Sequence, residues 1–308
     1  MKYSFIVNPK SCSGHGGLIW DVLEPELLKQ NVEYEVFFTE YERHATEIAG
    51  QLTQDECEHT LVVLGGDGTV NEVITGIRDC SKVILGYIPT GSGNDFTRAV
   101  KLPTDPGKAL ENILHPGRVI PMDVGVMRCD GKEYRFAVST GIGFDAAVCH
   151  EVAVSKLKAF LNRFRFGSLS YLGVALRRLL FDQPVRTKIT MDDGEGKTFE
   201  GMYFAAVMNH PYEGGGFYFC PKAKIDDGLL DVIVVAGISK LKILFLLPTS
   251  FKGKHVKYHG IHIFQCRKMK IQAEKKMPLH TDGEPVAVSD EMEVELLPEQ
   301  IRLIAPKQ

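Results

Sequence analysis

Over the first 120 residues, short apolar runs alternate with longer amphipathic stretches. The apolar runs are Tyr3–Val7, Val36–Phe38, Leu61–Leu64 and Val83–Ile88, each with the length of a buried strand. Helix-length segments lie between them at about Gly16–Lys29, His44–Thr53 and Asn71–Ile77. This alternation predicts βαβ units and a parallel sheet. After Pro121 the texture changes. Short runs at Tyr134–Ser139, Val185–Met191, Phe204–Met208, Leu230–Val235 and Lys268–Gln272 are divided by Gly, Asp or Asn turns. They predict an antiparallel, sandwich-like or barrel-like domain. Lys156–Leu180 is the exception and reads as a helix. Met292–Ile304 reads as two further strands that could return to the first domain. The expected division is therefore 1–122, joined by about 293–308, and 123–292.

Composition adds exclusions. With 308 residues, 44% hydrophobic and 24% charged, the chain is neither disordered nor a small disulfide scaffold. A membrane helix needs about 18–20 consecutive apolar residues. The best candidate, Leu229–Ile238, is ten long and contains Asp231. The N-terminal apolar run is too short for a signal peptide. Seven scattered cysteines form no CxxC pair, which fits a reducing, cytoplasmic setting.

Net charge is −3, but it is unevenly distributed. Residues 1–122 hold 10 basic and 17 acidic side chains, and the remainder 26 and 22. Val152–Phe181 carries six basic residues and no acidic one, and Val232–Ala273 eight and none. Such single-sign stretches suit either an anionic partner surface or a solvated basic face. The whole chain is slightly acidic and has no nucleic-acid motif, so nucleic acid is not expected as a partner.

The sharpest chemical signal is Leu61–Leu64 followed by Gly65-Gly66-Asp67-Gly68-Thr69-Val70-Asn71. Glycines allow a sharp turn and close approach of backbone to ligand. Free amides at a helix start favour phosphate oxygens. An acid in such a loop would repel phosphate unless it meets a metal, water or sugar hydroxyls. A tight βα turn is the plainer alternative. Thr90-Gly91-Ser92-Gly93-Asn94-Asp95 follows a second strand, and Asn8-Pro9-Lys10-Ser11-Cys12-Ser13-Gly14 follows the first. Three polar loops at the carboxyl ends of parallel strands should converge on one crevice.

These motifs resemble the diacylglycerol kinase catalytic domain family, in particular its soluble bacterial lipid kinases, which are related to sphingosine kinases and distantly to NAD kinases. Met122–Gly125, Gly141–Ala146, Asp226–Asp231 and Asp282–Glu284 follow in the expected order, so the resemblance spans nearly the whole chain. It implies an N-terminal three-layer α/β nucleotide-binding domain and a C-terminal β-sandwich-like lipid-substrate domain, with the active site in the cleft between them. It also implies an ATP- and Mg²⁺-dependent kinase whose expected acceptor is diacylglycerol. Implied ATP contacts are Asn8, Pro9, Ser11, Ser13, Gly14, Thr39, Gly65, Gly66, Asp67, Gly68, Thr69, Val70, Asn71 and Thr90. The rest of the third loop, Gly91, Ser92, Gly93, Asn94 and Asp95, is expected to join them. Glu284 is the implied proton acceptor, with Asp282 beside it. Asp227 is the implied magnesium carboxylate, with the main-chain carbonyls of Lys224 and Leu229. A kinase for a soluble substrate such as NAD, or a non-catalytic nucleotide or lipid sensor, are the alternatives.

The residues themselves allow this chemistry. Phosphoryl transfer needs positioning, neutralised phosphates and an acceptor for the hydroxyl proton. Thr281-Asp282-Gly283-Glu284 follows an apolar strand end, and its glycine permits a turn that aims two acids at one point. A hairpin with solvated acids is the alternative. Asp123 is either part of the site or a plain turn residue. Gly194–Thr198 contains GKT but lacks a first P-loop glycine, so a hairpin turn is expected there. His255, His259 and His262 are expected at the surface. Basic and aromatic side chains of Lys156–Leu180 would suit an anionic membrane, or the helix could pack on the β domain. An exposed sheet edge could support a homodimer.

Overall fold

The structure is a computed structural model that describes residues 2–91, 94–154, 177–179 and 181–307. It divides into two units, Met1–Val124 with Pro298–Gln308, and Gly125–Leu297.

The first unit is built on a six-stranded sheet. Strands β1 (Tyr3–Val7), β2 (Tyr34–Phe38), β3 (His59–Gly65) and β4 (Val83–Pro89) run parallel in the order β2-β1-β3-β4. β1, β3 and β4 are apolar along almost their whole length because they are covered on both faces. A short turn, α1 (Ser11–Gly14), leads into α2 (Gly16–Lys29). The crossovers continue with α3 (His44–Leu52), α4 (Asp67–Gly76), α5 (Asp95–Val100) and α6 (Pro106–Leu114). Trp20, Leu23 and Leu27 of α2, and Ala109, Leu110 and Ile113 of α6, pack with Phe5, Val62, Leu64 and Ile88 in one core. α4 begins at Asp67, four residues before the apolar periodicity does, because Gly66 acts as the N-cap. β5 (Arg118–Met122) and β15 (Ile301–Ala305) complete the sheet, β15 parallel to β4 and β5 antiparallel to β15.

The second unit is antiparallel throughout. It contains β6 (Gly125–Cys129), β7 (Lys132–Phe136), β8 (Ser139–Gly143), α7 (Phe144–Val154), β9 (Val185–Met191), β10 (Lys197–Met208) and β11 (Leu230–Ala236). Helix α8 (Lys240–Ser250) precedes β12 (Ile261–Cys266), β13 (Lys268–Thr281) and β14 (Glu284–Leu296). The nine strands run β12-β11-β10-β8-β13-β14-β6-β7, and β9 pairs with the first halves of β10 and β13. Pairing therefore closes a circuit β10-β8-β13-β9, around a core that includes Met127, Phe136, Ile142, Ile189, Val207 and Leu279. Met292–Leu296 completes β14 in this unit, so only β15 joins the first sheet. The GKT segment runs from the hairpin turn between β9 and β10 into the first residues of β10, where Lys197 and Thr198 pair with Ile189 and Lys188.

Two sequence expectations change here. The run Tyr134–Ser139 divides between β7 and β8, because the amides of residues 137–139 turn to a carboxylate described below. His255 is buried rather than superficial, with Nε2 3.0 Å from the Phe219 carbonyl, and burial lowers its pKa. Most of Lys156–Leu180 lies outside the described residues. Among the described residues no helix is long and apolar enough to cross a membrane.

Candidate active site

In the first unit, three loops leave the carboxyl ends of β1, β3 and β4 and are tied to one another. Asn8 Nδ2 donates to Thr69 Oγ1 at 3.1 Å, joining the first loop to the second. Thr90 Oγ1 donates to Ser11 Oγ at 2.8 Å, joining the third to the first. The Thr90 amide donates to the Gly65 carbonyl at 2.8 Å, and the Asp95 amide to Asp67 Oδ2 at 3.2 Å, joining the third to the second. Thr39, at the end of β2, is held against β1 by its amide, which donates to the Val7 carbonyl at 2.9 Å. Thr39, Thr69 and Thr90 are all buried, so short hydroxyl side chains rather than bulky groups fill the loop junctions.

Glycine is required where the loops meet. A Cβ on Gly65 would lie 2.6 Å from the Thr69 side chain, and one on Gly91 3.0 Å from Gly66 Cα. Gly66 caps α4 and brings no side chain of its own to the first-turn amides. Val70 is buried behind them, while Asn71 is half-buried. The first loop carries its own distortion. Cys12 and Ser13 adopt left-handed conformations at φ 52° and 57°, followed by Gly14 at 93°. Non-glycine residues held there cost on the order of 1–3 kcal/mol each, a cost that clusters at ligand clamps. Pro9 follows Asn8 at the start of this loop, Asn94 is left-handed at φ 50°, and Ser92 and Gly93 lie outside the described residues.

Asp67 does not project freely. One oxygen takes the Asp95 amide, and the other lies 3.5 Å from the Tyr87 hydroxyl, which itself lies 3.2 Å from the Gly65 carbonyl. Burial first, then the Asp67 carboxylate, raise the Tyr87 phenol well above its ordinary value, so it stays a donor. Asp95 is buried and paired with Arg98 at 2.8 Å. Tyr87 was not a sequence candidate. Its period-2 place in a buried strand gave it the appearance of core. Asp123 is buried and accepts from Gln300 Nε2 at 2.8 Å, which ties the chain just after β5 to the chain just before β15.

In the second unit, Asp282 and Gly283 form the two-residue turn between β13 and β14. Both have positive φ, 48° and 80°, the Asp-Gly signature of a type I′ hairpin. The two acids of this turn have different surroundings. Asp282 accepts from the amides of Ala137, Val138 and Ser139 at 2.9, 2.8 and 2.9 Å, so its carboxylate is committed to the main chain. Glu284, opposite Thr281, is exposed and makes no side-chain hydrogen bond or ion pair among the described residues. Of the two, Glu284 is the carboxylate free to take a proton.

Beneath this turn lies a buried cluster absent from the sequence candidates. His280 Nε2 is 2.9 Å from Asp145 and 3.3 Å from Glu213, and the Gly283 amide points at Nδ1 at 3.2 Å. Burial alone would lower the imidazole pKa, but Glu213 and Asp145 outweigh it and raise it to about 9. The imidazolium hydrogen-bonds Asp145 and sets its charge against Glu213 as well, forgoing the weaker Gly283 contact, whereas the neutral ring keeps that contact. Either way Nε2 carries a proton, and the three side chains hold one another. Gly141 makes the room, since a Cβ there would lie 2.5 Å from His280 Nε2. Only Asp145 sat in a recognisable motif; Glu213 and His280 come from separate segments that only the fold joins.

The Lys224–Leu229 loop precedes β11. Asp227 is exposed, its Oδ1 accepts the Leu229 amide at 3.2 Å, and Gly228 turns at φ 69°. With the Lys224 and Leu229 carbonyls this donor set is all oxygen, which is what Mg²⁺ takes. Asp231, farther on, lies inside β11, and burial pushes its carboxyl up to about 6.

Comparison with known proteins matches both units. Residues 2–127 match the diacylglycerol kinase catalytic domain, and residues 138–305 the YegS C-terminal NAD kinase beta sandwich-like domain. YtlR of Bacillus subtilis, provisionally named a lipid kinase, is 31% identical over 285 residues, covering 91% of this chain and 92% of that one. A diacylglycerol kinase of Staphylococcus carnosus is 30% identical over 289 residues, covering 91% and 87%. A crystal structure from Bacillus anthracis, provisionally named a diacylglycerol kinase, superposes with a TM-score of 0.77 at 25% identity, covering 99% and 97%. An α/β unit with three interlocked loops, an antiparallel β-sandwich-like unit and this degree of likeness along the whole chain lead to one assignment: the chain belongs to the diacylglycerol kinase family of lipid kinases, enzymes that pass a phosphoryl group to an alcohol.

Proposed function

We propose that the protein transfers the γ-phosphoryl group of ATP to the hydroxyl of diacylglycerol, giving phosphatidic acid and ADP, with Mg²⁺. The observation that carries the reading is the mutual tie of Asn8, Ser11, Thr69 and Thr90, which gathers the three loops beside the first-turn amides of α4, whose N-cap is a glycine. Such amides, aligned with a helix dipole, suit phosphate oxygens.

The loop residues Asn8 to Gly14, Gly65 to Asn71 and Thr90 to Asp95, with Thr39, bind and orient the triphosphate. Asp67, anchored by the Asp95 amide, faces the ribose or bound water rather than phosphate. Mg²⁺, held by Asp227 and the carbonyls of Lys224 and Leu229, would neutralise local charge. Glu284 takes the proton of the lipid hydroxyl as its oxygen bonds to the γ-phosphorus. The bond from that phosphorus to the bridging oxygen breaks, and ADP leaves with the electron pair. Asp282 and His280 hold the hairpin that carries Glu284.

The test is incubation with ATP and Mg²⁺ and a panel of diacylglycerol, other lipid alcohols and NAD, with products identified by mass spectrometry. Phosphatidic acid as the main product supports the reading. Phosphorylated NAD, or ATP hydrolysis with no phosphorylated acceptor, overturns it.

A further inference from the structure

Helix α8 is apolar on two sides. Ile243 and Leu246 face inward and are buried. Leu241, Leu244 and Phe245, spaced i, i+3 and i+4, lie on the opposite side, with Leu241 69% and Phe245 76% exposed. A surface helix ordinarily puts polar side chains there. Phe251 and Tyr258 extend the exposed apolar strip past the helix end. Of thirteen large apolar side chains exposed among the described residues, five fall in this span of eighteen.

The same span is strongly basic. It holds Lys242, Lys252, Lys254 and Lys257, with Lys240 just before it, and no acid occurs from Val232 to Ala273. Among the described residues Lys242, Lys252, Lys254 and Lys257 form no ion pair. The surface is also pinned in place. Phe251 stacks on Phe217 at 4.3 Å, the Tyr218 amide donates to the Ser250 carbonyl at 3.0 Å, and Ser239 caps the helix through the Lys242 amide at 3.3 Å.

We propose that the outer face of α8 and the turn after it dock on the surface of an anionic phospholipid bilayer. The lysines meet headgroup charge, and Leu241, Leu244 and Phe245 enter the headgroup–acyl boundary. Charge complementarity selects this occupant: a stretch of chain with lysines and no carboxylate, and with exposed leucine and phenylalanine, matches a negative interface with an apolar layer beneath. The proposal rests on the lipid-kinase reading for its purpose, because a diacylglycerol acceptor stays in the bilayer, but docking itself needs no turnover.

The test is co-sedimentation of the full chain with vesicles of phosphatidylcholine, alone or mixed equally with phosphatidylglycerol. The wild type should sediment with the mixed vesicles only and be released by salt. Lys252→Gln/Lys254→Gln/Lys257→Gln should weaken binding roughly a hundredfold, at about fivefold per lysine. Leu244→Ser/Phe245→Ser should weaken it even at low salt. Both variants should keep the wild-type thermal midpoint and full activity on a short-chain diacylglycerol dispersed in detergent. Binding that ignores lipid charge, undiminished binding of both variants, or a dimer lost in the serine variant without any vesicle binding would each overturn the proposal. Vesicle binding without phosphorylation of the dispersed lipid would instead leave docking intact and remove the kinase reading.

Discussion

Glu284 and Asp282 are separated by one glycine, yet their environments give them different work. A carboxylate accepting three main-chain amides is already satisfied, and each charge-assisted bond contributes about 1.5–3 kcal/mol. Asp282→Ala should therefore destabilise the fold by on the order of 3 kcal/mol, read as a lowered urea midpoint. Glu284→Gln touches no described partner and should leave that midpoint unchanged. Its turnover should fall about 10²–10⁴-fold while ATP affinity holds, as expected for loss of a general base. Equal stability losses in the two variants would show that the division of roles is incorrect. His280 adds a pH dependence. Its imidazole titrates near 6.5 when unfolded and near 9 when folded. The raised value means that its stabilisation is complete below pH 6.5 and is lost as pH rises through 9. Urea midpoints across that window should fall for the wild type and fall less for His280→Asn; parallel profiles would place the charge elsewhere.

The β3–α4 turn shows how an element converts glycine into function. Gly65→Ala puts a Cβ 2.6 Å from Thr69, which must move and release Asn8. A KM for ATP raised more than about tenfold, with a smaller change in kcat, is the expected result; an unchanged KM would sever the turn from nucleotide binding. Much of this element was legible. Its glycines, its apolar strand and the amphipathic helix are all local signals. The start of α4 was not, because a glycine N-cap leaves no side-chain signature. The Asp145–Glu213–His280 cluster was not legible either, since its members are brought together by β8, β13 and the Glu213–Phe217 turn, a long-range pairing that no spacing encodes. In the same way His255 read as one of several histidines in a basic run, and only the packing of Phe219 and α8 puts it inside.

At the scale of the molecule, the change of texture near Met122 separates a mostly parallel sheet, with β5 antiparallel at its edge, from an antiparallel one. The alternation of strand and helix, readable in the sequence, fixes where loops can gather, at the carboxyl ends of β1, β3 and β4. The long strands β10 and β13 are legible only in part, as Phe204–Met208 and Lys268–Gln272: the first half of β10 is largely polar where it pairs with β9, and the second half of β13 follows the exposed run Glu274–Lys276 and carries Pro278. The central claim is a phosphoryl transfer in which ATP sits on the three loops and Glu284 receives the lipid proton. It is tested most directly by supplying ATP labelled in its γ-phosphate together with diacylglycerol micelles and NAD, to wild type and Glu284→Gln alike. The account predicts label in phosphatidic acid for the wild type, and almost none for the variant, which still binds ATP with unchanged affinity. Label in the aqueous dinucleotide, or full lipid labelling by the variant, would contradict it.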